Sequence, residues 1–280
     1  MMTSTRFALL GSSGRPASDG ANEVVEVGSG VSKWKKGDRV ITLFNQSHQF
    51  GPISPTIAAT GLGGTIDDIL RQYGVFNEDG VVRAPSNVGF AEASTLTGAP
   101  LTSWNALYGF RPLKAGETVL VQGTGGVSIS ALQLAKAGGA KVIAITSSLE
   151  KAEKLKALGA DHVINHKENP EWGPIARKST HDESGSLKAI KYQGVMSLIG
   201  FLGANSGEAP PSALETLSSM CIMRAIYVDS KAQMEEMVTA YENDIHPAVD
   251  SKSFTVEQAK EAFEYLGAQK HIGKVCVQIE

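Results

Sequence analysis

Thr118-Val119-Leu120-Val121-Gln122-Gly123-Thr124-Gly125-Gly126-Val127 is the stretch on which the fold turns. Its first half is a continuous apolar run, as expected of a parallel strand covered on both faces. The glycines end that run sharply, and Val127, Ala131, Leu134 and Ala135 then recur at the spacing of one helix face. Gly138-Gly139 stops the helix, and Val142-Ile143-Ala144-Ile145-Thr146 reads as the next strand. Ala152, Leu155 and Leu158 mark a second helix closed by Gly159, and His162-Val163-Ile164-Asn165 a third strand. Strand and helix alternate, which requires right-handed crossovers and predicts an α/β fold with a doubly wound parallel sheet.

The first turn of that sheet carries chemistry. A glycine-rich turn between a buried strand and a helix presents backbone N–H groups and the positive end of the helix dipole, which favours a pyrophosphate. Gly123 permits the tight turn and Gly125 lets the backbone approach the phosphates; Ser128 stands where the dinucleotide fingerprint has its third glycine. A carboxylate at the end of the second strand would take the ribose 2′-OH of NADH. Here Thr146, Ser147 and Ser148 stand instead, with Lys151 beyond them, and hydroxyls with an ammonium suit the 2′-phosphate of NADPH. The same four residues also read as an ordinary helix start, with Ser148 as N-cap.

The flanking regions are less regular. Val24-Val25-Glu26-Val27 and Val40-Ile41-Thr42-Leu43-Phe44 predict paired strands around a turn-rich loop, in which Lys33-Trp34-Lys35-Lys36 reads as solvated surface. Residues 45–87 predict loop with short elements near Val81-Val82, and residues 90–107 predict helical pieces interrupted at Pro100. Residues 172–179 and 187–192 look helical, with no apolar β run between them. Val195-Met196-Ser197-Leu198-Ile199 predicts a strand, residues 222–228 an edge strand, and Met234, Met237, Val238 and Tyr241 a buried helix face. Thr255 and Gln258 form a capping-box pattern, and residues 275–279 a last strand.

Composition narrows the function classes. Net charge is -3 over 280 residues with both signs interspersed, which offers no field for nucleic acid or an anionic membrane. The two cysteines, Cys221 and Cys276, lie apart in apolar stretches and read as small buried hydrophobes, not as a disulfide or metal pair. The opening residues lack a signal-peptide pattern and no run is long enough to span a bilayer, so a cytoplasmic protein is expected.

Ser94-Thr95-Leu96, Thr102-Ser103-Trp104-Asn105-Ala106-Leu107, the stretch from Val119 to Gly126 and Gly159-Ala160-Asp161-His162-Val163-Ile164-Asn165 together resemble the medium-chain dehydrogenase/reductase superfamily. Within it the chain is most similar to zinc-type-alcohol-dehydrogenase-like and quinone-oxidoreductase-like members. The resemblance implies a Rossmann domain over residues 89–244 and a partial GroES-like substrate domain over 1–88 completed by 245–280. It implies that Thr102 faces the nicotinamide, that Gly123, Thr124, Gly125, Gly126 and Val127 hold the pyrophosphate, that Ser147, Ser148 and Lys151 surround the 2′-phosphate, and that Gly200, Phe201 and Leu202 belong to the loop that reaches the nicotinamide. His166 stands where many relatives carry a tyrosine near the adenine ribose, and reads equally as a solvated loop histidine. The activity implied is hydride transfer between NADPH and a small-molecule carbonyl, enone or quinone, with a homodimer through the strand at 222–228.

The chain also departs from that family. Zinc-binding relatives place a His-Glu pair where this chain has Ser18-Asp19, so zinc-free chemistry is expected. Asn45, Gln46 and His48 are polar loop residues near the expected pocket without an assigned proton-transfer role. The family's first strands should precede Ser18, where the sequence of residues 1–17 looks unrelated, and one sheet strand should lie near 181–185. These gaps leave a second reading open, an inactive truncated relative retaining at most nucleotide affinity.

Overall fold

The computed structural model describes residues 3–6, 17–66, 69–178, 189–200 and 213–279. In chain order the N-terminal part contributes strands β1 (Thr3–Arg6), β2 (Asp19–Glu23) and β3 (Arg39–Thr42), the short helix α1 (Pro55–Ala58), strand β4 (Val81–Arg83) and helices α2 (Phe90–Ala93) and α3 (Ala99–Tyr108). The alternating segment follows as β5 (Thr118–Gln122), α4 (Gly126–Ala137), β6 (Lys141–Thr146), α5 (Leu149–Ala157), β7 (His162–Asn165) and α6 (Trp172–Lys178). Beyond it lie β8 (Val195–Leu198), α7 (Ala213–Ser219), β9 (Ile222–Ala225), α8 (Lys231–Tyr241), β10 (Val249–Thr255), α9 (Ala259–Gly267) and β11 (Lys274–Gln278).

These elements divide into two compact units. One comprises the chain up to Asn105, Thr124–Leu134 and everything from Val228 onward; the other comprises Ala106–Gly123 and Ala135–Tyr227.

The first unit is built on a six-stranded sheet in the order β10-β11-β1-β2-β3-β4. Only β10 and β11 run parallel; the remaining neighbours are antiparallel. Its apolar core gathers Ala17, Leu62 and Ile69 with Phe254, Ala262, Val275 and Val277, so residues from both ends of the sequence share one interior. Helix α8 buries Met234, Met237, Val238 and Tyr241, the face read from its spacing. Gln258 Oε1 accepts from the Thr255 N–H at 3.2 Å, the reciprocal half of the capping box, ahead of α9.

The second unit holds a parallel three-stranded sheet β5-β6-β7 and a parallel pair β8-β9. Ile143, Ile145, Ile164 and Ala176 form its core, with Leu120, Trp172 and Ala189 packed against them. Both helices between these strands end on the same bond pattern. Ala140 N–H reaches the Ala135 carbonyl after α4, and Ala160 N–H the Leu155 carbonyl after α5, each closing the last turn that would otherwise leave carbonyls orphaned.

Several expectations need correction. The strand expected at Val24-Val25-Glu26-Val27 lies earlier, at Asp19–Glu23; Val25 and Val27 are exposed, and pairing with β3 rather than apolar content sets the register. Pro100 does not interrupt a helix but sits in the first turn of α3, where its missing N–H has no partner to lose. At 33–36 the surface reading holds for Lys33, Lys35 and Lys36, which are exposed, but Trp34 is half-buried: it donates its indole N–H to the Glu78 carbonyl at 2.8 Å beneath Arg83, while Lys33 pairs with Asp79. Residues 189–192 form a bridge and a turn, not a helix. Thr3–Arg6, within the stretch read as unrelated to the family's first strands, is a strand paired on both sides. Finally, β5 is parallel as expected but only Val121 in it is buried, because among the described residues β6 is its one paired neighbour. The region near 181–185 lies outside the described residues.

Candidate functional site

The residues proposed for the phosphates are local to the connection between β5 and α4. Gly123 extends the ladder by donating to the Ile145 carbonyl at 2.8 Å and then turns with φ +79, a left-handed conformation costly for a residue with a Cβ. Both Gly123 and Gly125 are exposed, and a Cβ built on either would meet nothing within 4 Å. Open space over the backbones of two glycines that flank Thr124, followed by the N-terminus of a helix of 12 residues, is the shape a pyrophosphate needs. Thr124 is buried, whereas Gly126 and Val127 are half-buried. The Val127 carbonyl accepts from Ser103 Oγ at 2.8 Å, which anchors the first turn of α4.

In the second unit, strand β6 ends on buried Thr146, followed by exposed Ser147. Ser148 is the N-cap of α5: its Oγ accepts from the Lys151 N–H at 3.4 Å, as its alternative reading predicted. The hydroxyl proton is not used by that cap. Thr146 Oγ1 accepts from the Ser148 N–H at 3.4 Å, so the three residues form one hydrogen-bonded corner at the strand end. No carboxylate occupies residues 146–149. His166 is exposed and its N–H bonds the Thr146 carbonyl at 2.9 Å, which places the backbone of residue 166 beside that corner. Gly200 follows β8 with φ +78, while Phe201 and Leu202 lie outside the described residues. A cleft of about 270 Å³ in the same unit, lined by Leu149, Lys156, Ile164 and Ile175 among others, contains none of the proposed cofactor residues.

In the first unit, Thr102 is buried in α3 and donates its hydroxyl to the Gly98 carbonyl at 2.9 Å. Gly98 N–H in turn donates to Asp19 Oδ2 at 3.1 Å, and Asp19 pairs with Lys274, both almost completely buried. Sequence reading missed this pair. Its only local signal was a lysine heading the apolar run Lys274-Val275-Cys276-Val277.

At Ser18 and Asp19, which the resemblance compares with the His-Glu pair of zinc-binding relatives, the Asp19 carboxylate is committed elsewhere: Oδ1 accepts from the Ser18 hydroxyl at 2.7 Å, and Oδ2 from Gly98 and Lys274. A zinc ligand must offer its lone pairs to the metal, so these residues do not fit one. Among the described residues no group of three His, Cys, Asp or Glu side chains stands together as a metal site. Asn45 and His48 are both buried on one turn, with the Asn45 amide donating to the Ile57 carbonyl at 3.2 Å and His48 Nε2 bonded to the Gly51 carbonyl at 2.8 Å. Gln46 Nε2 serves the Leu43 and Gly80 carbonyls. Each of these side chains braces the loop.

Among the described residues no helix is long and apolar enough to cross a membrane.

Comparison with known proteins agrees with this architecture. The zinc-binding dehydrogenase family matches residues 126–243. A zinc-type alcohol dehydrogenase-like protein of Schizosaccharomyces pombe is 39% identical over 285 residues, covering 95% of this chain and 82% of its own length. An NADPH-dependent alkenal/one oxidoreductase of Arabidopsis thaliana is 31% identical, covering 94% of this chain and 63% of its own length. A crystal structure from Sinorhizobium meliloti, described as a candidate alcohol dehydrogenase, superposes with a TM-score of 0.89 at 32% identity, covering 99% of this chain and 89% of that one. The chain belongs to the medium-chain dehydrogenase/reductase superfamily, among oxidoreductases that include alcohol dehydrogenases and enone or quinone reductases.

Proposed function

We propose that this protein transfers hydride between NADPH and a carbonyl, enone or quinone, without zinc. The observation that carries this reading is the open glycine cradle between β5 and α4, combined with a β6 end that offers hydroxyls and no carboxylate. When bound, the cofactor supplies the hydride, and the protein's part is binding, orientation and exclusion of water. Residues 123–127 would hold the pyrophosphate by backbone N–H groups. Ser147, Ser148 and Lys151 would hold the 2′-phosphate, with His166 beside the adenine ribose. Thr102, Gly200, Phe201 and Leu202 would border the nicotinamide. On this reading the dinucleotide is held by residues 89–244, while residues 1–88 and 245–280 shape the small-molecule pocket. The commitment of Asp19 to an ammonium supports a metal-free site.

A thermal melt with NADPH, NADH and no ligand tests the binding claim, since a ligand specific for the folded state raises the melting temperature. An upward shift larger for NADPH than for NADH is expected, followed by NADPH oxidation on an enone and quinone panel with no dependence on added zinc. Absence of any shift at saturating NADPH would sink the cofactor claim.

The parallel strands of the second unit form two separate sheets among the described residues, and this favours a second reading. In it the protein is an inactive relative that binds nucleotide only, seen as a melting shift with no turnover. Both readings are compatible with a homodimer through β9, which among the described residues pairs only with β8 and leaves Ile222 exposed; sedimentation of the purified protein would read twice the chain mass.

A further inference from the structure

Lysine is among the residues least often buried without a partner, yet Lys274 at the head of β11 is 2% exposed and so is its partner Asp19. Their Nζ–Oδ2 distance of 3.4 Å is longer than the 2.7–2.9 Å typical of a strong charge-assisted bond. A buried ion pair is weak evidence for stability even where, as here, Ser18 and Gly98 also donate to the carboxylate, and placement of a neighbouring group is the better-attested use.

What the pair places can be traced within the first unit. Asp19 Oδ2 also accepts from Gly98 N–H at 3.1 Å, and the Gly98 carbonyl accepts from the Thr102 hydroxyl at 2.9 Å. On the other side, the Gly273 N–H donates to the Thr124 carbonyl at 3.0 Å, and Gly273 bridges Gly125 in parallel register. Lys274 N–H donates to the Ala248 carbonyl at 3.1 Å, which fixes the backbone from behind. Gly273 therefore holds the Thr124–Gly125 turn by main chain, and Lys274 next to it reaches the Gly98–Thr102 turn through the Asp19 carboxylate.

We propose that Lys274 and Asp19 form a positioning pair that fixes the Gly98–Thr102 turn against the Thr124–Gly125 turn, so that the nicotinamide half of the cofactor is oriented by the element that anchors its phosphates. This rests on the nicotinamide-cofactor reading above. Neither residue reacts; each acts through Thr102 and its backbone.

The test compares two ligands on the full chain by calorimetry: NADPH and 2′-phospho-ADP-ribose, which carries both phosphate sites but no nicotinamide. The wild-type protein is expected to bind NADPH more tightly. In the charge-free Asp19→Asn/Lys274→Met variant that preference should fall about tenfold, or about 1.4 kcal/mol, while affinity for 2′-phospho-ADP-ribose stays within about threefold. An unchanged preference, or equal weakening of both ligands as a purely structural role would give, overturns the proposal. If that variant does not fold, Asp19→Asn alone, which preserves side-chain shape, is held to the same ratio, and failure of both to fold assigns the pair to stability and overturns it too. Wild-type protein that binds neither ligand removes the cofactor reading and this inference with it; wild-type binding of both with a preserved ratio in the variant removes the inference alone.

Discussion

Replacing Gly125 by alanine should separate folding from binding. Gly125 is outside the left-handed region and its would-be Cβ meets nothing within 4 Å, so the substitution introduces neither backbone strain nor a clash. The smaller entropy of the unfolded chain then leaves the apoprotein unchanged or stabilised by about 0.4–1 kcal/mol. The same methyl fills the space over the backbone that a pyrophosphate must enter. With ligand at about 100 times its wild-type Kd, binding stabilises the wild-type protein by about 2.7 kcal/mol; weakened a hundredfold, it adds only about 0.4 kcal/mol. Urea unfolding of both proteins with and without NADPH reads all four quantities. An apoprotein weakened by more than about 1 kcal/mol would refute the reading of open space at this turn. A variant stabilised by NADPH as much as wild type would show that the phosphates lie elsewhere.

Three further outcomes are expected. Ser148→Ala removes the acceptor that caps α5 and should lower stability by about 1 kcal/mol in urea unfolding, with Ser148→Thr recovering most of it. Gly273→Ala would force a Cβ to within 2.1 Å of the Ala248 carbonyl oxygen at φ +72, so the loss should exceed the roughly 1–2 kcal/mol of left-handed strain alone; a smaller loss in the same assay would mean that the backbone there yields. His246, whose imidazole bonds Glu92 at 3.0 Å, is held above its usual pKa by that hydrogen bond first and by the carboxylate's charge second. The folded protein therefore holds this proton more tightly than the unfolded chain, and the stabilisation is complete below about pH 6.5 and lost as pH rises through the higher folded value. Urea midpoints of wild type and His246→Ala should converge on the alkaline side, and a gap that widens with pH would contradict the assignment.

The part of the fold legible in sequence was the part encoded locally. From β5 to β7 every element was read to within about two residues, because strand runs, helix periodicity and glycine stops repeat within windows shorter than a crossover. The six-stranded sheet of the first unit was read only in part: β3, β4 and β11 lie where their apolar runs placed them, whereas β1, β2 and β10 do not. Thr3–Arg6 has no apolar signature, and only pairing with β2 and β11 makes it a strand. Val25 and Val27 look like a strand and are exposed coil, because the ladder to β3 is set by residues 19–23. At the site, the glycine turn and the Ser148 cap were readable for the same local reason. The Asp19–Lys274 pair joins residues 255 positions apart, and no window of sequence contains both.

That separation bears on synthesis. A ribosome releases β1 to β4 early, but β11 is the neighbour of β1 and completes the core around Ala17, Leu62 and Ile69. Until residues 249–278 emerge, the first unit has four of its six strands and an open edge at β1, although the segment carrying β5 to β9 is already out. The early strands wait longest for their partner, and they are where a chaperone would have most to hold.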